Sequence, residues 1–210
     1  MSHHPLRLYV DTQFTSPYAM SVFVTLREKG LPFDVRTLDL NALENQSKNY
    51  AGLSLTQRVP TLEHGDFALS ESSAITEYLD EVFPQVPVYP QAAQQRARAR
   101  QVQAWLRSDL LPIRQERSTL VVFYGVQYAP LSPAAQLAAD KLLDAAQLLL
   151  AGGHDYLCGQ WSIADVDLAV MLNRLILNGD PVPTPLVEYA QRVWQRPSVQ
   201  AWLNQPRPAL

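Results

Sequence analysis

Three prolines within residues 84–90 constrain the fold of this chain more than any other sequence feature. Pro84, Pro87 and Pro90 lack a backbone amide proton, so neither a helix nor a central strand can continue through them. We therefore predict a domain boundary here, with one domain over residues 1–84 and a second over residues 91–210. The chain has 210 residues, 47% of them apolar, which is enough for two domains and a proper core.

Before the proline segment, strand and helix patterns alternate. Apolar residues alternate with polar ones from Leu6 to Val10 and predict a strand, and a helix begins after Ser16 with Pro17 in its first turn. The pattern continues with a strand at 33–40, a helix at 42–51, a hairpin with strands at 61–63 and 67–69, and a helix at 71–83. The order βαβαββα predicts a small mixed sheet with helices on both faces.

After the proline segment the pattern is helical. We predict a long helix at 92–118 and another at 133–151, whose apolar stripe consists of Ala138, Leu142, Ala145 and Leu149. A further helix begins at Ser162, because Ser162 and Asp165 have the spacing of a capping box. The second domain is therefore predicted to be all-α.

Composition excludes several functions. The net charge of -3 and the pI near 5.8 give no basic surface for nucleic acid. Residues 1–7 contain no apolar signal core, and no stretch of about 18 apolar residues occurs, so we expect a cytoplasmic protein that contacts no membrane. Its single cysteine, Cys158, cannot form an internal disulfide, and His3 and His4 are the only neighbouring histidines, so no metal site is expected.

Two segments near the hairpin suggest a site for a short anionic peptide. Val59 precedes Pro60 at the start of a strand, and a cis bond there would turn the backbone of Val59 outward, where a peptide could add as a strand. Glu71 and Ser72 begin a helix whose free amides attract a carboxylate. An ordinary strand, turn and helix capped by Ser70 is the alternative.

Three motifs together resemble the cytosolic glutathione transferases, in the serine-type branch of that family. They are Ser16-Pro17-Tyr18 after the first strand, Val59-Pro60 followed by Glu71-Ser72, and the helix start at 162–165. The resemblance covers nearly the whole chain. It implies an α/β thioredoxin-like N-terminal domain, an all-α C-terminal domain, glutathione bound at their junction, and a homodimer.

The resemblance also implies roles for single residues. Ser16 would donate its hydroxyl proton to the glutathione sulfur, since a hydroxyl and a helix N-terminus favour the thiolate. A plain N-cap role is the alternative for Ser16, and Thr15, Tyr9 and Tyr18 are rival hydroxyls.

Glutathione carries two carboxylates and one ammonium group. By resemblance, the backbone of Val59 pairs with the cysteinyl unit, Ser72 binds the γ-glutamyl carboxylate and Glu71 accepts from the ammonium group. Arg58 and Lys48 could face the glycine carboxylate, or could be solvated surface cations. The chain departs from the family at residues 54–57, and its residues 20–22 lack the arginine that often follows the serine.

The implied function is transfer of glutathione to an apolar electrophile, with reduction of hydroperoxides as a possible second activity. The electrophile would contact the helical domain near Trp105 and residues 121–128, which could equally be core. The alternatives are a glutathione-dependent isomerase of a small unsaturated diacid and a catalytically silent interaction module.

Overall fold

The computed structural model describes residues 5–210, so the histidine pair His3 and His4 lies outside the described residues. Contacts divide the chain into two units. The first ends at Val88 and also contains Gln200–Leu210, and the second is Tyr89–Val199. The residues after Val199 thus group with the first unit, whereas the predicted second domain runs to residue 210.

The first unit is built on one four-stranded mixed sheet of order β2-β1-β3-β4. Its elements are β1 (Leu6–Asp11), α1 (Pro17–Glu28), β2 (Phe33–Leu38), a 3-10 turn (Glu44–Gln46), α2 (Lys48–Leu53), β3 (Thr61–His64), β4 (Phe67–Ser70) and α3 (Ser72–Val82). β1 is parallel to β2 and antiparallel to β3, which is antiparallel to β4. The predicted α/β class is confirmed, with a 3-10 turn and a shorter α2 where one helix was predicted.

The register of the sheet decides which loops share an edge. Asp11 lies opposite Leu38, Tyr9 opposite Thr61, and Thr61 opposite Ser70. The carboxyl ends of β1, β2 and β4 and the amino end of β3 therefore lie at the same edge. The loops that follow or precede these strand ends all begin there.

A buried lysine connects the carboxyl end of α1 to that of α3 and to the segment after it. The Lys29 side chain, 1% exposed, donates to the Asp80 carboxylate at 2.8 Å and to the carbonyls of Phe83 at 3.0 Å and Val86 at 2.7 Å. The Val88 amide donates to the same carboxylate at 2.8 Å. Because a buried ammonium needs every donor satisfied, these bonds fix the segment that leaves α3.

The second unit is helical, as predicted. Its helices are α4 (Ala93–Ser108), α5 (Leu111–Glu116), α6 (Thr119–Tyr124), α7 (Pro133–Leu150), α8 (Ile163–Ile176) and α9 (Thr184–Trp194), and α10 (Pro197–Leu203) follows. Helix α8 is buried on nearly all sides and forms the centre of this unit. The predicted capping box is confirmed, since the Ser162 amide donates to the Asp165 carboxylate at 2.8 Å.

Two helix predictions were wrong in detail. The single helix at 92–118 is interrupted, because Asp109 is extended and Leu110 takes a left-handed φ of 60°. Pro112 lies in the first turn of α5, and a proline there could not continue α4. On α7 the buried stripe is Ala135, Ala139, Leu142 and Ala146, which lies to one side of the predicted stripe and shares only Leu142 with it.

Candidate functional site

The turn between β1 and α1 is organised by one carboxylate. Asp11, 4% exposed, accepts hydrogen bonds from the amide of Thr15 at 2.7 Å and the amide of Ser16 at 3.0 Å. It also accepts from the hydroxyl of Thr15 at 2.8 Å. A carboxylate with several amide donors holds its loop tightly, so the backbone just ahead of Pro17 is fixed. The sequence analysis missed Asp11. A carboxylate five residues before an N-cap serine is close enough in sequence to accept from the amides of the intervening turn, so it could have been considered.

Ser16 is the N-cap of α1. Its φ and ψ are -69° and 113°, and its Oγ accepts from the Ala19 amide at 3.2 Å. A hydroxyl accepts through its lone pairs and donates through its single proton, so the N-cap and donor roles do not exclude each other. Among residues 5–210, the Ser16 hydroxyl proton has no hydrogen-bond acceptor.

The hydroxyls of Thr15 and Tyr9, two of the rivals of Ser16, donate to carboxylates. The Thr15 hydroxyl gives its proton to Asp11, and the Tyr9 hydroxyl donates to the Glu63 carboxylate at 3.0 Å. Burial raises the pKa of Tyr9, which makes its phenolate form still less accessible. Tyr18, the third rival, lies half-buried in the first turn of α1.

A cluster of buried hydroxyls holds the loop ahead of β3. The carbonyl of Arg58 accepts from Tyr50 at 2.9 Å, from Thr61 at 3.1 Å and from Ser54 at 3.4 Å. None of these three residues is more than 4% exposed. The backbone carbonyl of Arg58 therefore points into the protein, while its side chain is exposed.

The next residue, Val59, has an unpaired backbone. The Val59-Pro60 bond is cis. Within the described part of the chain, neither the amide nor the carbonyl of Val59 has a hydrogen-bond partner. Half-buried Val59 thus offers one donor and one acceptor, which is what an extended peptide needs in order to add as a strand.

The start of α3 carries the last two predicted residues. Glu71, exposed and at φ 76°, is the N-cap of α3, and Ser72 is 3% exposed at the first helical position. The Glu71 side chain makes no capping hydrogen bond to the amides of this first turn. The alternative in which Ser70 caps the helix was wrong, because Ser70 is still part of β4.

The sheet register brings these groups to one edge of the first unit. Ser16 follows the carboxyl end of β1, Val59 precedes β3, and Glu71 follows the carboxyl end of β4. Those three strand ends lie side by side through the pairs of Thr61 with Tyr9 and Ser70. The edge therefore presents a hydroxyl, an unpaired stretch of main chain and a helix start that its own N-cap side chain leaves uncapped.

An arginine that the sequence analysis missed contacts the same turn. Arg207 donates to the carbonyl of Phe14 at 3.3 Å and to the carbonyl of Leu203 at 2.6 Å. Phe14 takes a left-handed φ of 50°, and its ring packs edge-on against Trp202 with the ring centroids 5.3 Å apart. The guanidinium absent from residues 20–22 is thus present near this turn, but no local pattern links positions so far apart in sequence.

Trp105 and Val121, both in the region proposed for an electrophile, have different surroundings in the second unit. Trp105 lines a cleft of about 320 Å³ between α4 and α7, together with Arg98, Lys141 and Leu148. The described lining of that cleft includes no residue of 121–128. Val121, in that segment, is 1% exposed and belongs to the core.

Residues 5–210 were considered for a membrane span and for a metal centre. None of their helices is long and apolar enough to cross a membrane. No three of their His, Cys, Asp and Glu side chains are grouped as a metal ion would require. Cys158 is 7% exposed, and burial raises the pKa of its thiol, as expected for a buried apolar cysteine.

Comparisons with known proteins agree on one family. Residues 15–82 match the family model of the glutathione S-transferase N-terminal domain, and residues 92–206 match that of the C-terminal domain. The chain is 35% identical to glutathione S-transferase theta-1 of Bos taurus over 203 residues, which cover 90% of this chain and 82% of that protein. It is 31% identical to the Homo sapiens protein of the same name over the same shares.

Solved structures give the same result. A glutathione transferase homologue from Burkholderia gl BGR1, solved with bound glutathione, has a TM-score of 0.78 and 48% identity, covering 96% of this chain and 97% of that one. A maleylacetoacetate isomerase from Methylobacterium extorquens AM1, solved with malonate and glutathione, has a TM-score of 0.76 and 26% identity, covering 97% of this chain and all of that one.

Proposed function

This chain belongs to the glutathione S-transferase family, and from that premise we propose that it binds glutathione with residues 1–84 and stabilises the thiolate with Ser16. One observation carries the choice of Ser16. The Ser16 hydroxyl accepts a hydrogen bond from the Ala19 amide, and its own proton has no acceptor among the described residues. The hydroxyl of neighbouring Thr15 instead donates to the Asp11 carboxylate. A free hydroxyl proton at a helix start is what an anionic sulfur requires.

The chemistry asked of Ser16 is modest. A free thiol has a pKa near ~8.5 and is mostly protonated at neutral pH. A hydrogen bond from Ser16 and the partial positive charge at the start of α1 favour the thiolate, and the thiol proton leaves to solvent. Ser16 is not a covalent nucleophile in this proposal, because its Oγ contacts no base among residues 5–210.

The rest of the edge suits the peptide part of glutathione. The amide and carbonyl of Val59 would pair with the cysteinyl unit, and Ser72 with the first amides of α3 would bind the γ-glutamyl carboxylate. Glu71 would accept from the γ-glutamyl ammonium group. Arg58 and Lys48, both exposed, are the proposed cations for the glycine carboxylate.

The thiolate would then attack an electrophilic carbon, forming a carbon–sulfur bond as the leaving group departs with its electron pair. With a hydroperoxide, the sulfur would attack the outer oxygen to give an alcohol and glutathione sulfenic acid. A second glutathione would convert the sulfenic acid to the disulfide and water. We assign the contacts of the second substrate to residues 91–210, and we propose that the protein acts as a homodimer in the cytoplasm.

Replacement of one side chain tests the proposal. Ser16→Ala should lower kcat for conjugation about tenfold or more, because one hydrogen bond to a developing anion is lost. The calorimetric dissociation constant for glutathione should change by less than about twofold, since the other contacts remain. Ser16→Thr, which retains a hydroxyl and the ability to cap a helix, is the matched control and should keep most of the activity.

Two outcomes would contradict this proposal. Unchanged turnover of Ser16→Ala would remove Ser16 from the mechanism. Failure of the unaltered protein to bind glutathione at millimolar concentration would favour the interaction module instead.

Isomerisation of a small unsaturated diacid is a second candidate, because the isomerase from Methylobacterium extorquens has a similar fold at 26% identity. That reaction would need cations directed at the substrate carboxylates. Arg207, which contacts the turn before Ser16, donates instead to the carbonyls of Phe14, Trp202 and Leu203. A cis-to-trans assay on a small unsaturated diacid, run beside the conjugation assay, separates the two activities.

A further inference from the structure

We propose that Asp11 is a positioning residue that makes Ser16, rather than the adjacent Thr15, the hydroxyl that donates to the glutathione sulfur. This inference rests on the proposed function. Two neighbouring hydroxyls precede α1, and either could in principle reach a sulfur bound at the helix start. Asp11 distinguishes them because its carboxylate accepts a hydrogen bond from the hydroxyl of Thr15 but not from that of Ser16. It accepts from the backbone amides of both residues.

The hydroxyl proton of Thr15 is already used in a hydrogen bond to Asp11. Its Oγ1 donates to one carboxylate oxygen of Asp11 at 2.8 Å, and the amide of Thr15 donates to the same oxygen at 2.7 Å. A hydroxyl has a single proton, and a bond to a carboxylate is among the stronger ones available to it. Thr15 can therefore offer a sulfur no proton while Asp11 is in place.

Hydrogen bonds fix the position of the Ser16 hydroxyl but do not use its proton. The second oxygen of Asp11 accepts the amide of Ser16 at 3.0 Å and so fixes the backbone that carries Oγ. A lone pair of Oγ faces the Ala19 amide at 3.2 Å, which leaves the proton to point elsewhere. Asp11 thus places the Ser16 hydroxyl without using its proton.

Asp11 does not act through its charge. A carboxylate close to a thiolate disfavours the thiolate, so its charge opposes the ionisation that Ser16 promotes. Both carboxylate oxygens accept from Thr15 and Ser16 backbone amides, and Asp11 is 4% exposed. Any benefit to the reaction must therefore come from the geometry that Asp11 imposes on Ser16.

A double-mutant cycle separates positioning from charge. The pKa of the thiol of bound glutathione is measured from the ultraviolet absorbance of the thiolate in four proteins: the unaltered chain, Ser16→Ala, Asp11→Asn and the double variant. The charge effect of Asp11→Asn is the same with and without Ser16, so it cancels in the cycle. In the unaltered background Ser16→Ala should raise the pKa of the bound thiol by about 1, and in the Asp11→Asn background by about 0.5 or less.

Two controls accompany the cycle: the first separates positioning from unfolding, and the second tests whether Thr15 is a donor. Asp11→Asn should lower kcat while changing the KM for glutathione by less than about twofold, a split that general unfolding would not give. Thr15→Val, which keeps the β-branched shape, should change the pKa of the bound thiol by less than about 0.3.

Three results would overturn the inference. Equal effects of Ser16→Ala in both backgrounds would show that Asp11 does not position Ser16, while leaving the proposed function intact. An effect of Thr15→Val as large as that of Ser16→Ala would show that Asp11 selects no hydroxyl. No effect of Ser16→Ala in the unaltered background would remove both the proposed function and this inference.

Discussion

Asp11 in the first unit and Asp165 in the second perform the same task at two helix starts, but they leave their surroundings in different states. Asp165 is fully buried and accepts from the amides of Leu157 at 2.9 Å and Ser162 at 2.8 Å. It also accepts from the hydroxyls of Ser162 at 3.1 Å and Tyr189 at 2.8 Å. Both of the hydroxyls bonded to this carboxylate are therefore in use.

At Asp11 the arrangement is almost the same, with one hydroxyl left over. The N-cap Ser162 gives its proton to its carboxylate, whereas the N-cap Ser16 keeps its proton and the preceding Thr15 gives one instead. A fully satisfied helix start stabilises the fold and offers a ligand nothing. A helix start with one hydroxyl proton that has no acceptor can still bind an anion.

The largest expected effect on stability is at the start of α8, where Asp165 accepts all four hydrogen bonds. Asp165→Ala should lower the free energy of unfolding by about 3 kcal/mol, because it leaves two buried amides and a buried tyrosine hydroxyl without their acceptor. Unfolding in urea measures the loss, and turnover per folded molecule should not change. A loss below about 1 kcal/mol would show that these donors find other partners.

A matched pair of serines sharpens the comparison. Ser162→Ala should cost about 2 kcal/mol of stability, because Ser162 is fully buried and its hydroxyl bonds to Asp165. Ser16→Ala should cost about 1 kcal/mol, the usual loss for one helix cap. Urea unfolding and turnover measured on both variants should show stability loss without activity loss at Ser162. Activity loss at both serines in folded protein would end the distinction between the two starts.

The pH dependence of Asp165 is a smaller test. Burial raises the pKa of Asp165, although its four hydrogen-bond donors act in the opposite direction. A raised folded-state pKa contributes stability below the unfolded pKa of about 4, and that contribution is lost as pH rises through the folded value.

The free energy of unfolding of the unaltered chain minus that of Asp165→Asn should therefore fall as the pH rises from about 4 through the folded-state pKa of Asp165. The fall should be about 1.4 kcal/mol for each pH unit that separates the folded-state pKa from the unfolded one. Urea unfolding at several pH values measures it. A difference that grows with pH would mean that the four donors outweigh burial.

Much of this architecture could be predicted because its causes are local. The spacing of Ser162 and Asp165, the proline after Ser16 and the proline segment all act within a few residues. The register that brings Ser16, Val59 and Glu71 to one edge is not local, since it depends on a strand order that the sequence analysis did not predict. The proposed assignment of these residues to glutathione stays a prediction that the structure accommodates.

Other features could not be predicted, for physical reasons. The exact residue at which α4 ends depends on a left-handed Leu110, and leucine has no preference for that conformation, although a break near Pro112 was predictable. The long-helix prediction overlooked Pro112, which was a usable local signal. The contact of Arg207 with Phe14 joins residues 193 positions apart, and no spacing rule covers that distance.

That last contact has a consequence for biosynthesis. A nascent chain that has emerged only as far as Val88 already contains all four strands and Ser16, but not the Trp202 ring or the Arg207 guanidinium that contact Phe14. The loop carrying the serine thus receives its last supports only after the whole helical segment has been translated. Translation itself sets the order in which this loop and its supports come together.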